Sequence, residues 1–254
     1  MNQPLIITLC FVLPCLLTTL GAAFIFFFNK SSPTLTIITI SLASGIMLSA
    51  SIWSLLVPAQ EDAQQNLGNL AFLPVVIGFA LGGLFMLILD FFSEKMFKNE
   101  KNTQKSQTFT LFTAISVHNI PEGLSVGFAL GTALATQNGL LSALMFAVGI
   151  AIQNLPEGLA TAIPLNNCLN NRKKSFFLAF LSGIIEPIFA VMGFFLASSL
   201  ASLLPWLLSF SAGAMIYVIV AELIPQMQVE KSKWGILTFL IGFIMMMILD
   251  ICMS

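Results

Sequence analysis

Long apolar runs alternate with short polar breaks along this chain. A bilayer core about 30 Å thick needs about 20 apolar residues per helix, and eight runs are long enough, at about residues 5–28, 34–57, 70–92, 108–130, 140–165, 175–199, 203–225 and 234–253. The breaks read "NKSSP", "QEDAQQNLGN", "SEKMFKNEKNTQKSQ", "TQNG", "NNCLNNRKK" and "QMQVEKSK", and none is long enough for a soluble domain. The pattern predicts an all-α membrane protein with eight transmembrane helices, folded as a single domain over residues 1–254. No basic residue precedes Lys30, so the first run lacks the charged start of a cleavable signal and reads as a retained helix.

The ten basic residues give these spans a direction. They are Lys30; Lys95, Lys98, Lys101 and Lys105; Arg172, Lys173 and Lys174; Lys231 and Lys233. They fall only in alternate connections, those between spans 1 and 2, 3 and 4, 5 and 6, and 7 and 8. The positive-inside rule makes those connections cytoplasmic and puts both termini outside. One missed or extra span would have scattered the charges over both sides.

Composition agrees: 57% of residues are hydrophobic and 8% charged, against about a quarter charged in an average soluble domain. The surface these spans present is for lipid. A net charge of -1 excludes nucleic acid as a partner, since phosphate needs clustered Lys and Arg. Cys10, Cys15, Cys168 and Cys252 form no CxxC and read as small buried apolar side chains.

Against that apolar background one polar pattern occurs twice. "HNIPEGLSVGFAL" begins at His118 and "QNLPEGLATAIPL" at Gln153, so N-x-P-E-G-L is written once in span 4 and again in span 5. "SGIMLSASIWSLLVP" in span 2 loosely echoes "SAGAMIYVIVAELIP" in span 7. Spans 2 and 7 run in opposite directions, as do 4 and 5, which is the signature of an inverted repeat. At about 1.5 Å per residue, His118 and Glu122 lie about 15 and 21 Å from the cytoplasmic start of span 4. Gln153, Glu157 and Glu186 come out about 18, 12 and 17 Å from the cytoplasmic ends of theirs.

All five are near the midplane, where each carboxylate costs at least about 2.5–3.5 kcal/mol. No Lys or Arg lies within a span and His118 is the sole histidine, so the balancing charge comes from outside the chain, as a cation or as protons. The spacing favours a metal ion. His118 and Glu122, and Gln153 and Glu157, are four residues apart, and Asn119 and Glu122 three apart, so each pair shares a helix face. Pro121, Pro156 and Pro187 cannot donate to the carbonyls of Val117, Ile152 and Gly183, which leaves acceptors beside the acids. Gly123 and Gly158 permit a neighbouring helix to approach closely. An oxygen-rich set with one imidazole suits Zn, Fe, Mn or Co rather than a thiolate-seeking ion.

At these residues the chain resembles the ZIP (Zrt/Irt-like) family of divalent metal transporters, and its bacterial members in particular. The resemblance implies a midplane site on helices 4 and 5 with His118, Asn119, Glu122, Gln153, Asn154, Glu157 and the span 6 Glu186 as metal ligands. It also places Met47 of span 2 beside the site. Ser54 and Glu61 resemble residues associated with the outer mouth, where Asp62 adds a further acid, and Glu222 resembles an acidic exit position. Many members carry His at the position of Gln153, and some carry Asp at that of Asn154. Here nitrogen ligation is weaker and a bridging anion is absent. The 3–4 connection holds no histidine cluster, so metal sensing through it is unsupported.

The function expected is uptake of a divalent cation, zinc first and then Cd, Fe, Mn or Co, through the inner membrane into the cytoplasm. No G-x-x-x-x-G-K-[ST] is present, so ATP hydrolysis does not drive it. The metal is cargo, no cofactor is implied, and a homodimer follows by analogy. A proton-coupled carrier of a small organic substrate would use the same carboxylates as relays. An intramembrane metalloenzyme fits less well, since there is no H-E-x-x-H and one histidine is a poor start.

Overall fold

The computed structural model describes residues 2–27, 33–97, 103–197, 201–227 and 233–253. Lys30, Lys98, Lys101 and Lys231 therefore lie outside the described residues, as do the side chains of His118 and Glu222. Among the described residues the regular structure is entirely helical. α1 is Gln3–Ala23, and α2 is Pro33–Ala50, continuing through a π-helical segment, Ser51–Leu56, and a further α segment, Val57–Leu67. α3 is Phe72–Phe97, α4 Thr103–Ala135, α5 Leu140–Leu169 and α6 Arg172–Ala197. α7 is Leu204–Val218, followed by a π turn, Ile219–Leu223, and Ile224–Met227; α8 is Lys233–Met253.

Seven of these are long and apolar enough to cross a membrane. α4, with 33 residues, has the length, but its polar motif lowers its hydropathy below that of the rest. The helices outrun the apolar runs. "QEDAQQNL", expected as a connection, extends α2 because it holds helix formers and no breaker before Gly68, whose φ of 52° ends the helix. The connection expected at "NNCLNNRKK" shrinks to Asn170 and Asn171. Asn170, at φ 49°, ends α5, and the Asn171 side-chain oxygen accepts from the Lys174 N–H at 3.1 Å to start α6. The four cysteines are free thiols, but only Cys10 is buried and Cys252 is exposed. Burial in the core was the wrong expectation for Cys252, which sits on the outer face of the helix nearest the chain end.

The helices pair in a pattern with a hidden symmetry. The broadest interfaces are α4 with α6, α1 with α5, α2 with α8, and α3 with α7. Exchanging α1 with α6, α2 with α7, α3 with α8 and α4 with α5 maps the first interface onto the second and the third onto the fourth. It also maps α2 on α5 onto α4 on α7. Burial obeys the same exchange: the apolar stretches of α3 and α8 are each 22% buried, those of α1 and α6 each 33%, and those of α2 and α7 61% and 56%. The loose echo between spans 2 and 7 is thus structural, and each of the two helices carries a π segment directly before the Pro-containing continuation at Pro58 or Pro225. α1, α4, α5 and α6 form one four-helix group, and α2, α3, α7 and α8 the other.

Candidate metal site

The doubled motif lies where α4, α5 and α6 meet. Small residues make that meeting possible, because a Cβ at Gly123 would overlap the Glu186 carbonyl oxygen on α6, and one at Gly158 would overlap the Thr18 carbonyl oxygen on α1. With the backbones this close, Asn119, Glu122, Gln153 and Asn154 are fully buried, and Glu157 and Glu186 are 4% and 2% exposed.

Their side chains tie the helices together. Gln153 Nε2 donates to Glu122 Oε1 at 3.2 Å, joining α5 to α4. Asn154 Nδ2 donates to both carboxylate oxygens of Glu186 at 2.8 Å, joining α5 to α6. Asn119 Nδ2 donates to the Ser182 carbonyl at 2.8 Å, joining α4 to α6. Glu157 is near enough to Glu186 for their charges to interact, and Glu122 and Glu186 line one narrow void with Cys10, Pro14 and Ile150.

Carboxylate and carbonyl oxygens only accept, so the NH₂ ends of Gln153 and Asn154 face carboxylates, that of Asn119 faces the Ser182 carbonyl, and the three amide oxygens are turned away. Asn119 Oδ1, Gln153 Oε1 and Asn154 Oδ1 are consequently buried with no hydrogen-bond donor. Leaving buried acceptors in this condition costs about 1–3 kcal/mol each. Three such oxygens beside three carboxylates make a donor set for a hard or borderline cation. Among the described residues, no three His, Cys, Asp or Glu side chains converge closely enough to hold an ion by themselves. A ligand set drawn from the described residues here would therefore include the amides.

The other expected residues are spread further. Met47 is buried on α2 in an apolar cluster with Leu55, Ala59, Met215 and Ile219. Ser54, in the π segment of α2, donates to Asp250 Oδ1 of α8 at 2.6 Å. This pair lies against Gly149, one turn from Gln153 along α5, since a Cβ there would be 3.7 Å from Ser54 Oγ and 3.9 Å from Asp250 Oδ1. Glu61 is exposed and lines a surface groove with Val57, Gln60 and Gln64. Asp62 is half-buried and accepts from Asn66 Nδ2 at 3.1 Å.

Sequence reasoning missed Asp250, whose signal was an acid inside an apolar run. It also missed its counterpart Asp90 on α3, which accepts from the hydroxyl of Tyr217 on α7 at 2.9 Å. It missed Ser125 and Ser211 too, whose hydroxyls lie 2.7 Å apart and both donate to the Pro121 carbonyl, at 2.8 and 2.9 Å. Ser211, on α7, thereby joins the second four-helix group to α4 of the first.

A polytopic helical membrane protein with a buried cluster of carboxylates and amides where its helices meet is built to pass or hold a cation. The family profile described as "ZIP Zinc transporter" matches residues 99–250. "Zinc transporter ZIP11" of Bos taurus is 31% identical over 92% of this chain and 93% of its own. "Zinc transporter GufA" of Myxococcus xanthus is 35% identical over 80% and 81% of the two chains, and "Zinc transporter ZupT" of Chlorobaculum parvum 32% over 83% of each. The chain belongs to the ZIP family, a family of transporters and not of enzymes.

Proposed function

We propose that this protein admits a divalent metal cation, zinc foremost, through the cytoplasmic membrane into the cytoplasm without ATP hydrolysis. All eight helices cross the bilayer in this reading, and both termini face outward. The observation that carries it is the set of three donorless amide oxygens buried beside Glu122, Glu157 and Glu186. An organic substrate carried with protons would need donors or a recognition pocket at that depth. What lines the site instead is mostly oxygen, and the relatives' names all specify zinc.

Apart from Met47, every proposed ligand belongs to the α1, α4, α5, α6 group. The ligands would therefore travel together if that group moved against α2, α3, α7 and α8, which is how access alternates in repeat-built transporters. Such a movement would have to break the Ser125–Ser211 clasp on Pro121. Ser54 and Asp250 stand on the outward approach. An uncompensated divalent ion gains about 4.6 kcal/mol per 100 mV of inside-negative potential, enough to drive uptake.

The test is ⁶⁵Zn uptake into proteoliposomes of the purified protein. Saturable uptake that rises with an inside-negative potential is expected, and Glu157→Ala or His118→Ala should reduce it at least about tenfold. Wild-type protein that admits no Zn²⁺, Cd²⁺, Fe²⁺ or Mn²⁺ would refute the reading.

A further inference from the structure

Under the exchange of halves described above, Glu186 on α6 has a counterpart on α1. Gly123 meets the backbone of Glu186, and Gly158, the same position in the second motif, meets the backbone of Thr18. The correspondence extends one helical turn back, from Glu186 to Ser182 and from Thr18 to Pro14. The two counterparts also touch each other. Thr18 is 1% exposed, and its hydroxyl lies 3.4 Å from Glu186 Oε1 and 3.2 Å from the Pro14 carbonyl. Its methyl fits against α6, for a Cβ at Gly183 would be 3.2 Å from Thr18 Cγ2.

One hydroxyl proton is shared here between two acceptors, and both distances exceed the usual 2.7–2.8 Å or so for O–H···O. A charged acceptor draws the stronger bond, so an ionised Glu186 holds the proton. Asn154 alone cannot fix the Glu186 carboxylate, because a single nitrogen bridging both oxygens leaves the group free to rock about that contact. A second donor, reaching Oε1 from another helix, stops the rocking and makes the two oxygens inequivalent. Oε2 is then the one left to face a cation.

We propose that Thr18 is a positioning residue of the metal site, its hydroxyl orienting the Glu186 carboxylate across the interface between the two halves. The inference rests on Glu186 being part of that site. Helix α1 is thereby a working part of the site and not only a lipid-facing strap.

Zinc uptake kinetics and equilibrium ⁶⁵Zn binding of Thr18→Val, Thr18→Ala, Thr18→Ser and Glu186→Gln test it. Valine keeps the shape and loses the hydroxyl, and serine keeps the hydroxyl and loses the methyl. Supporting results would be an apparent KM and Kd raised about tenfold in Thr18→Val, an unchanged maximal rate per folded protein, and a Thr18→Ser within about twofold of wild type. A purely structural threonine would lower the amount of folded protein and leave KM alone. If Thr18→Val fails to fold, Ala against Ser makes the same hydroxyl comparison, with alanine expected to show the higher KM.

Equal KM values within either pair overturn the role of Thr18. If instead Glu186→Gln itself binds and transports like wild type, it is the placement of Glu186 in the site that falls.

Discussion

Asn119 and Asn154 occupy the same place in the two copies of N-x-P-E-G-L, yet they do different things. Asn119 donates to the carbonyl of Ser182, one turn before Glu186. The matching carbonyl in the other half belongs to Pro14, one turn before Thr18, and it is approached by the Thr18 hydroxyl. Asn154 turns instead to the Glu186 carboxylate. Only one half supplies an acid at this position, and a buried carboxylate draws donors more strongly than a backbone carbonyl does. A repeat fixes the backbone of both halves alike, and a single unmatched charge then breaks the equivalence of the side chains.

The comparison is most severely tested by removing each asparagine. Asn154→Ala should cost more, about 10–100-fold in uptake efficiency, since it removes an amide oxygen and also releases Glu186. Asn119→Ala removes an amide oxygen and a backbone tie worth about 1 kcal/mol, and should cost several-fold less. Zinc uptake measured at several concentrations decides the order. Equal losses, or a larger loss at Asn119, would show that the two copies are functionally equivalent after all.

A smaller effect is expected at the outer and inner acids. Asp250 and Asp90 are counterparts in the two halves, each an acid on an outlying helix held by a hydroxyl on an inner one, though Ser54 and Tyr217 supply those hydroxyls from different positions. They differ in free capacity, for Asp250 Oδ2 is buried without a donor. In the orientation proposed above the Asp250–Ser54 pair is the outward one, and that oxygen would attract an arriving cation, by the focusing that charge produces in a narrow mouth. Asp250→Asn should therefore raise the KM for zinc about threefold with little change in maximal rate, and the increase should shrink at high ionic strength. Asp90→Asn should spare KM and slow turnover instead. A KM effect confined to Asp90 would reverse the assignment of outer and inner sides.

Much of this arrangement could be read from the sequence, and the reasons for success and failure are physical. The spans were legible because lipid enforces a length and a composition on every helix. The motif residues were legible because polar groups at that depth stand out against the rest. Helix ends were not, since "QEDAQQNL" is polar but helix-forming, and hydropathy registers only the first property. Thr18 carried no signal, because a threonine in a membrane helix commonly bonds its own backbone, as Thr19 does to the Cys15 carbonyl at 2.8 Å. Its importance depends on which helix lies opposite, and no periodicity within α1 encodes that. Asp90 and Asp250 were lost for a related reason: an acid near a span end is ordinary until its partner across the interface is known.

Met47 marks the smallest expected effect and the sharpest contrast with the motif residues. Resemblance sets it beside the metal, whereas its surroundings are those of a packing residue: Leu55 and Ala59 from its own helix, Met215 and Ile219 from α7. It also belongs to the four-helix group that holds none of the other proposed ligands. A thioether is a soft ligand, ill matched to a set made of amide and carboxylate oxygens. Met47→Leu conserves volume and apolarity and removes only the sulfur, so it should leave zinc uptake within about twofold of wild type. A loss that is larger for Cd²⁺ than for Zn²⁺ would instead identify the sulfur as a ligand, because the softer ion depends on it more. The second four-helix group would then supply a direct contact to the ion, and the two groups could not slide past each other without breaking it.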